Sequence, residues 1–288
     1  MKVYYECAPC FLRQAQEALD LAADDENLKI EIMAEVTTLL GQEFQEGAVS
    51  NVIGTSIHRL IKEKTGNEDP YLHIKGKCNE IAAEFLPKLS EFLQDEEGLE
   101  MFVKAAIIGN LIDFGALGVN CDPLNLMMDN LNAPLVINHT NELEKSLKSV
   151  KSVLYLADNT GEIVFDKLLI KKMEEYDVEV TVAVKENPIL NDACLEDAYQ
   201  IGLDGMAKLV TTGTDSIGVI YEQVSSEFRH MLDNAELIIS KGLGNYEGLT
   251  EIDFGKKPVF CLLNTKCGPT SRDLGVAEGS NVIVKLNY

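Results

Sequence analysis

Val153-Leu-Tyr-Leu-Ala-Asp158-Asn159-Thr160-Gly161-Glu162-Ile163-Val164-Phe165-Asp166 is the stretch on which the fold turns. Its aliphatic and aromatic opening reads as a buried strand. The run stops abruptly at two polar, oxygen-bearing residues and a turn, after which apolar residues return at helical spacing. In an open parallel sheet, ligands bind beyond the carboxyl ends of the strands, where the following helix also presents unpaired N–H groups to an anion. Asp158 and Asn159 would place one carboxylate and one amide oxygen in that crevice, a donor pair suited to a hard cation holding a phosphate.

Working outward, further short aliphatic runs occur at Val178–Val184, Lys208–Val210, Leu237–Ile239, Val259–Leu263 and Val282–Val284, several separated by helix-length segments. That alternation predicts βαβ units and an α/β fold, with a mainly parallel, Rossmann-like sheet flanked by helices. Upstream the period is helical. Helices are expected over Cys10–Ala23, Asn27–Phe44, a segment after Ser50, Ile74–Leu93 with an interruption at Pro87, and Leu99–Phe114. Turn-rich residues from Cys121 to Pro134 read as a junction, followed by a helix from Thr140 to about Ser149. The expected organisation is an N-terminal all-helical domain or cap over residues 1–131 and an α/β metal- and phosphate-binding domain over 132–288.

The later strands also end in polar loops. Lys185-Glu-Asn-Pro188-Ile-Leu-Asn191-Asp192 follows the second, and there Asn191 or Asp192 can simply cap the next helix. If that strand neighbours the first, Asp192 instead comes beside Asp158 and Asn159, and two carboxylates with an amide oxygen make a divalent-cation site. The third strand ends in Thr212-Gly213-Thr214-Asp215, a small-residue loop able to offer N–H groups to an anion or to serve as an ordinary turn. The fourth ends in Ser240-Lys241-Gly242-Leu-Gly244-Asn245-Tyr246-Glu247-Gly248, where Lys241 supplies a point charge for phosphate and Gly242 allows close backbone approach. A dinucleotide fingerprint is the rival reading, but the loop follows a late strand and opens no convincing apolar helix.

The 288 residues carry a net charge of −22, which repels phosphate backbones and anionic lipid surfaces. Nucleic acid and membrane are therefore unexpected partners, and an anionic substrate needs a local cation. No run reaches the roughly 18 apolar residues of a membrane span, and the Met1–Glu6 start lacks the apolar core of a signal peptide. A cytoplasmic protein is expected, with a homo-oligomer left open. Seven cysteines point to reduced thiols rather than a disulfide framework. Cys7-Ala-Pro-Cys10 has the spacing of half a zinc knuckle or a redox pair, against the plainer reading of two buried thiols. His58, His73, His139 and His230 show no metal-binding spacing.

Asp158-Asn-Thr-Gly-Glu162 with Asp166, Asn187-Pro-Ile-Leu-Asn-Asp192, Ser240-Lys-Gly242 with Asn245 and Glu247, and Gly109-Asn110-Leu-Ile-Asp113 together resemble the DUF89 or damage-control phosphatase family (ARMT1-like). The N-terminal CxxC resembles that of its compact archaeal and bacterial subfamily. The resemblance implies a phosphatase dependent on a divalent metal (Mn, Co, Ni or Mg), acting on a small phosphorylated metabolite such as a sugar phosphate or a damaged phosphorylated cofactor. It implies metal ligation by Asp158, Asn159 and Asp192. Glu162 and Asp166, four apart on one face of the following helix, read as a residue that orients water or supports the ligands and as a structural residue, respectively. Phosphate contacts fall to Lys241, Gly242, Asn191, Gly213 and Glu247. Asn110 and Asp113 reach in from the helical half or form a buried pair there. Two rivals remain: attack by Asp158 itself, as in haloacid dehalogenases, and a metal- or redox-sensing or nucleotide-binding protein built on the Cys7–Cys10 thiol site.

Overall fold

The Val153 run forms a strand at the heart of one sheet. The computed structural model describes residues 1–109 and 123–286. Among them, strands β1 (Ile137–Asn138), β2 (Ser152–Leu156), β3 (Glu179–Val184), β4 (Lys208–Thr211), β5 (Ile238–Lys241), β6 (Val259–Asn264) and β7 (Asn281–Lys285) pair in the order β1-β7-β6-β5-β2-β3-β4. Every pairing is parallel except β6 with β7. The mainly parallel α/β sheet read from the spacing is therefore present. The two-residue β1 was not foreseen, because so short a run carries no period.

From β2 the chain steps outward through β3 to β4, then returns to the opposite flank of β2 as β5. That reversal opens a crevice between the carboxyl ends of β2 and β5, the switch point where doubly wound sheets bind ligands. Alternation along the strands sorts side chains to two faces. Val153, Tyr155, Val182, Ile239 and Phe260 face one core, and Leu154, Leu156, Ile238, Cys261 and Leu263 the other. Helices α5 (Glu100–Ile108), α7 (Thr140–Leu147), α8 (Glu162–Met173) and α9 (Leu195–Gln200) cover the first face; α10 (Ser226–Asn234) and α11 (Leu243–Leu249) lie on the second. Fully buried Tyr155, Phe165, Phe228 and Phe260 anchor these layers, each stabilising by about 1.5–3 kcal/mol.

Helices α1 (Cys7–Ala22), α2 (Glu26–Glu43) and α3 (Ser50–Thr65) build a cluster of their own from Phe11, Leu19, Ile32, Val36, Ile53, Ile57 and Ile61 at helical spacing. The other side of α3 grips the loops at the sheet's carboxyl edge. Thr55 Oγ1 accepts from Ile217 N–H at 3.0 Å, and Lys62 Nζ donates to Pro188 O and to Asp215 Oδ2, both at 2.7 Å. Helix α4 (Leu72–Leu93) runs unbroken through Pro87, where an interruption was expected. Pro87 and Ala83, whose carbonyl loses its partner, are both exposed, so water replaces the missing bond while buried Leu89 and Leu93 hold the last turns. The Leu99–Phe114 helix is seen as α5 up to Ile108, and the remainder lies outside the described residues. No helix among those residues is long and apolar enough to cross a membrane.

His58 sits among the apolar residues of α3, and burial followed by the Lys62 charge drops its pKa to about 4. A depressed histidine folds neutral, so as pH falls from about 6.5 the unfolded chain takes up the proton first and stability is lost. His58→Leu should therefore gain about 2 kcal/mol more at pH 5 than at pH 8 in urea melts. Equal gains at both pH values would contradict the neutral buried ring.

Candidate active site

The loops after β2 and β3 are laced into one short ladder. Ala193 N–H donates to Asp158 O at 2.8 Å, Thr160 N–H donates to Asn191 O at 2.9 Å, and Asn159 bridges Asp192 in antiparallel fashion. This brings the Asp158 and Asp192 carboxyls, 9% and 4% exposed, close enough in the crevice to repel each other. Leu190, at φ 49°, takes the left-handed conformation that turns Asn191 and Asp192 back toward β2. The β2 loop is also held from α4, where Asn79 Oδ1 accepts the Gly161 N–H at 2.7 Å. Sequence reading passed over Asn79, although a polar residue between Cys78 and Ala82 on a buried helical stripe was a usable signal.

From the other side, β5 ends in Lys241, whose Nζ donates to Ala106 O at 2.7 Å, Glu162 Oε1 at 2.5 Å and Asp166 Oδ1 at 2.6 Å. All three donors are spent inside the protein, so contact with a phosphate would require Lys241 to leave one of them. Gly242 is at φ 79°, and a Cβ there would stand 1.8 Å from Asp158 Oδ2, so the glycine is what lets the carboxyl lie against the backbone. Asn245 Nδ2 braces the junction by donating to Ala157 O and Lys241 O. Lys185, just past β3, donates from Nζ to Gly218 O at 2.8 Å and stands 3.5 Å from Asp192 Oδ2. It too was missed as a site residue. Val-Ala-Val-Lys185 repeats the Ile-Ile-Ser-Lys241 pattern of a lysine closing a buried strand, and that signal was available.

Electrostatically the site is short of positive charge. Asp158, Glu162, Asp166 and Asp192 share the charges of Lys185 and Lys241, all of them buried; buried Lys75 also pulls on Asp192 but is itself paired with Asp69 and Asp197. Burial, then Glu162 and Asp192, pushes the Asp158 pKa well up against the pull of Lys185 and Lys241. Burial likewise raises Asp166 and Asp192 to about 6, partly offset by Lys241 and Lys185 respectively. Burial would lower Lys241, but Asp166 and Glu162 outweigh it and hold the ammonium up.

The other expected residues fall in several places. Asn159 Nδ2 donates to Asp158 Oδ2 at 2.9 Å and to Glu162 Oε2 at 3.5 Å, within the crevice. Asn191 contributes its carbonyl to the ladder. Gly213, at φ 71°, packs against Ser225, where the chain turns toward α10. The Glu247 carboxylate accepts from Ser50 Oγ at 2.5 Å on α3. Asn110 and Asp113 lie outside the described residues. Cys7 and Cys10 open α1 with thiol pKa values raised chiefly by burial, and Cys267 adds to both shifts. Cys78 and Cys261 lie in separate apolar clusters. Among the described residues, no three His, Cys, Asp or Glu side chains are grouped so as to hold a metal ion; the expected set of two carboxylates and one amide is of a different kind.

A doubly wound α/β protein with an acid-rich crevice at its switch point is thus defined by fold and site together. A model of the damage-control phosphatase ARMT1-like domain matches residues 3–282, and the chain belongs to that family. It is 40% identical over 291 residues to an uncharacterised protein of Methanocaldococcus jannaschii, covering 99% of this chain and 96% of that one. It is 36% identical over 290 residues to a protein of Pyrococcus horikoshii named a damage-control phosphatase, covering 100% of this chain and 99% of the other. The crystal structure of a DUF89 family protein from Pyrococcus horikoshii superposes with a TM-score of 0.90 at 36% identity, covering 100% of both chains.

Proposed function

We propose that this protein is a divalent-metal-dependent phosphatase that hydrolyses small phosphorylated metabolites, either sugar phosphates or damaged phosphorylated cofactors. The observation that carries the reading is the excess of buried carboxyls over lysines at the switch point, with Asp158 and Asp192 adjacent. The damage-control phosphatases among its relatives support it. The residues fit a divalent cation: the buried acids outnumber the lysines that reach them, and the donors are hard oxygens. Asp158, Asn159 and Asp192 would hold Mn, Co, Ni or Mg, which when bound screens the phosphate and acidifies water. Glu162 has its Oε1 fixed by Lys241, while its Oε2 has only the 3.5 Å contact from Asn159 among the described residues. Oε2 can therefore orient a water and accept its proton. The ladder through Thr160 and Ala193 keeps the carboxyls from spreading under their mutual repulsion.

Phosphate release from p-nitrophenyl phosphate and a panel of sugar and cofactor phosphates tests the reading, in EDTA and then with each metal. Turnover restored by at least one metal is expected; silence with all four, from folded protein, overturns the proposal. The melting temperature gives a second readout. For Asp192, a folded pKa of about 6 means that its stabilising contribution is complete below its usual value and is lost as pH rises through 6. A metal held by these carboxylates should therefore raise the melting temperature over the EDTA value more at pH 7.5 than at pH 5. A difference independent of pH would place the metal elsewhere.

A further inference from the structure

Two ammonium groups enter the crevice, and they differ in what they can release. Lys241 Nζ is bonded to three protein oxygens at 2.5–2.7 Å. Turning it toward a substrate would strand Glu162 or Asp166 in a fully buried position, which is the costly half of breaking a buried ion pair. Lys185 is held more loosely. One N–H goes to Gly218 O at 2.8 Å, its 3.5 Å approach to Asp192 Oδ2 is beyond ordinary hydrogen-bond length, and its third N–H has no partner among the described residues. A cation held by Asp158 and Asp192 would also relieve Lys185 of that carboxylate.

The place of Lys185 is fixed by close backbone crossings. Its anchor Gly218 is at φ 61°, and a Cβ there would stand 1.9 Å from Gly244 O, so the loop after β4 presses directly on the start of α11. Gly242, two residues earlier, carries Asp158 against its own backbone. Lys185, the Gly242–Gly244 turn, Asp158 and Asp192 therefore converge at the carboxyl ends of β2, β3 and β5. A compact ammonium on a flexible stem, tethered at one N–H and able to swing the others, suits a phosphoryl group.

Building on the phosphatase reading, we propose that Lys185 is the cation that contacts the substrate's phosphoryl oxygens, while Lys241 is a positioning residue that fixes Glu162 and Asp166. Lys185→Gln keeps a donor for Gly218 O and removes the charge; Lys185→Arg keeps the charge. Inorganic phosphate serves as the probe, by calorimetry with Mn present and as an inhibitor of p-nitrophenyl phosphate turnover. Lys185→Gln is expected to weaken phosphate binding at least about tenfold and to lower kcat/KM at least about 100-fold. Its Mn affinity, followed by electron paramagnetic resonance, should stay close to that of the wild type, and Lys185→Arg should recover part of the loss. A folded Lys185→Gln protein that binds phosphate as the wild type does overturns the proposal. Crystals of the wild type grown with Mn and phosphate decide the matter without any variant. Phosphate within hydrogen-bond reach of Lys185 Nζ supports the assignment, and phosphate on Lys241 with Lys185 still on Asp192 refutes it. The two readings fail separately. Phosphate binding through Lys185 without ester hydrolysis would sink only the phosphatase, and undiminished hydrolysis in Lys185→Gln would sink only Lys185.

Discussion

Asp158→Asn is expected to lose turnover by at least about 10³-fold, roughly 4 kcal/mol of transition-state stabilisation, while melting higher than the wild type in EDTA. The two effects have one cause. The Asp158 carboxyl is buried and repelled by Glu162 and Asp192, so its charged form is unfavourable in the metal-free protein. An amide of the same shape removes that penalty and can still meet Asn159, which donates to Asp158 Oδ2 at 2.9 Å. Relief of a buried carboxyl repelled by two neighbouring acids is worth about 1–3 kcal/mol, a rise of roughly 2–6 °C in a chain of this size. Added metal should raise the wild-type melting temperature and leave that of the variant unmoved. Such exchange of stability for function is what a strained charged site produces. An Asp158→Asn protein that melts lower in EDTA would show that the charge is already compensated. One that keeps a tenth of the activity would remove Asp158 from the reacting centre.

The fold was legible wherever a run was long enough to show its period. Val153–Leu156, Val178–Val184 and Val259–Leu263 announced β2, β3 and β6, because strands buried on both faces have no polar alternation to blur them. Their order was not legible. Nothing in the chain states that β5 returns beside β2 rather than beyond β4, and that single choice brings Lys241 to Glu162 across 79 positions. Pro87 misled because the rule against helical proline assumes that the freed carbonyl is costly, and at the exposed Ala83 it is not. For the site, the polar loops told which residues gather and left their division of labour unread. Lys241 and Lys185 look alike at the ends of their strands. Only packing shows one clasped by two buried acids and the other resting on a carbonyl.

Lys241→Met is expected to be the most destabilising of these substitutions, at about 3–5 kcal/mol, the scale for removing one partner of a buried ion pair. The side chain is 0% exposed, and Glu162 and Asp166, each 1% exposed, would be left without their shared cation. Tyr155 beside Asp166 stays a neutral phenol, because burial and that charge push its pKa well above its usual range, so it can favour the carboxylate as a donor but does not replace the lost cation. The loss should be recoverable by removing charge rather than by restoring bulk. Adding Asp166→Asn to Lys241→Met is expected to return about half of it in urea melts, because one stranded carboxylate then remains instead of two. Strict additivity of the two single effects would show that the residues do not share an ion pair. The same double variant separates the two lysines in function. If Lys241 serves only to hold Glu162, the refolded protein should bind inorganic phosphate nearly as the wild type does and lose chiefly kcat. If phosphate binding goes with it, the ammonium that meets the substrate is Lys241, and its three bonds in the metal-free site are a resting arrangement that the substrate displaces.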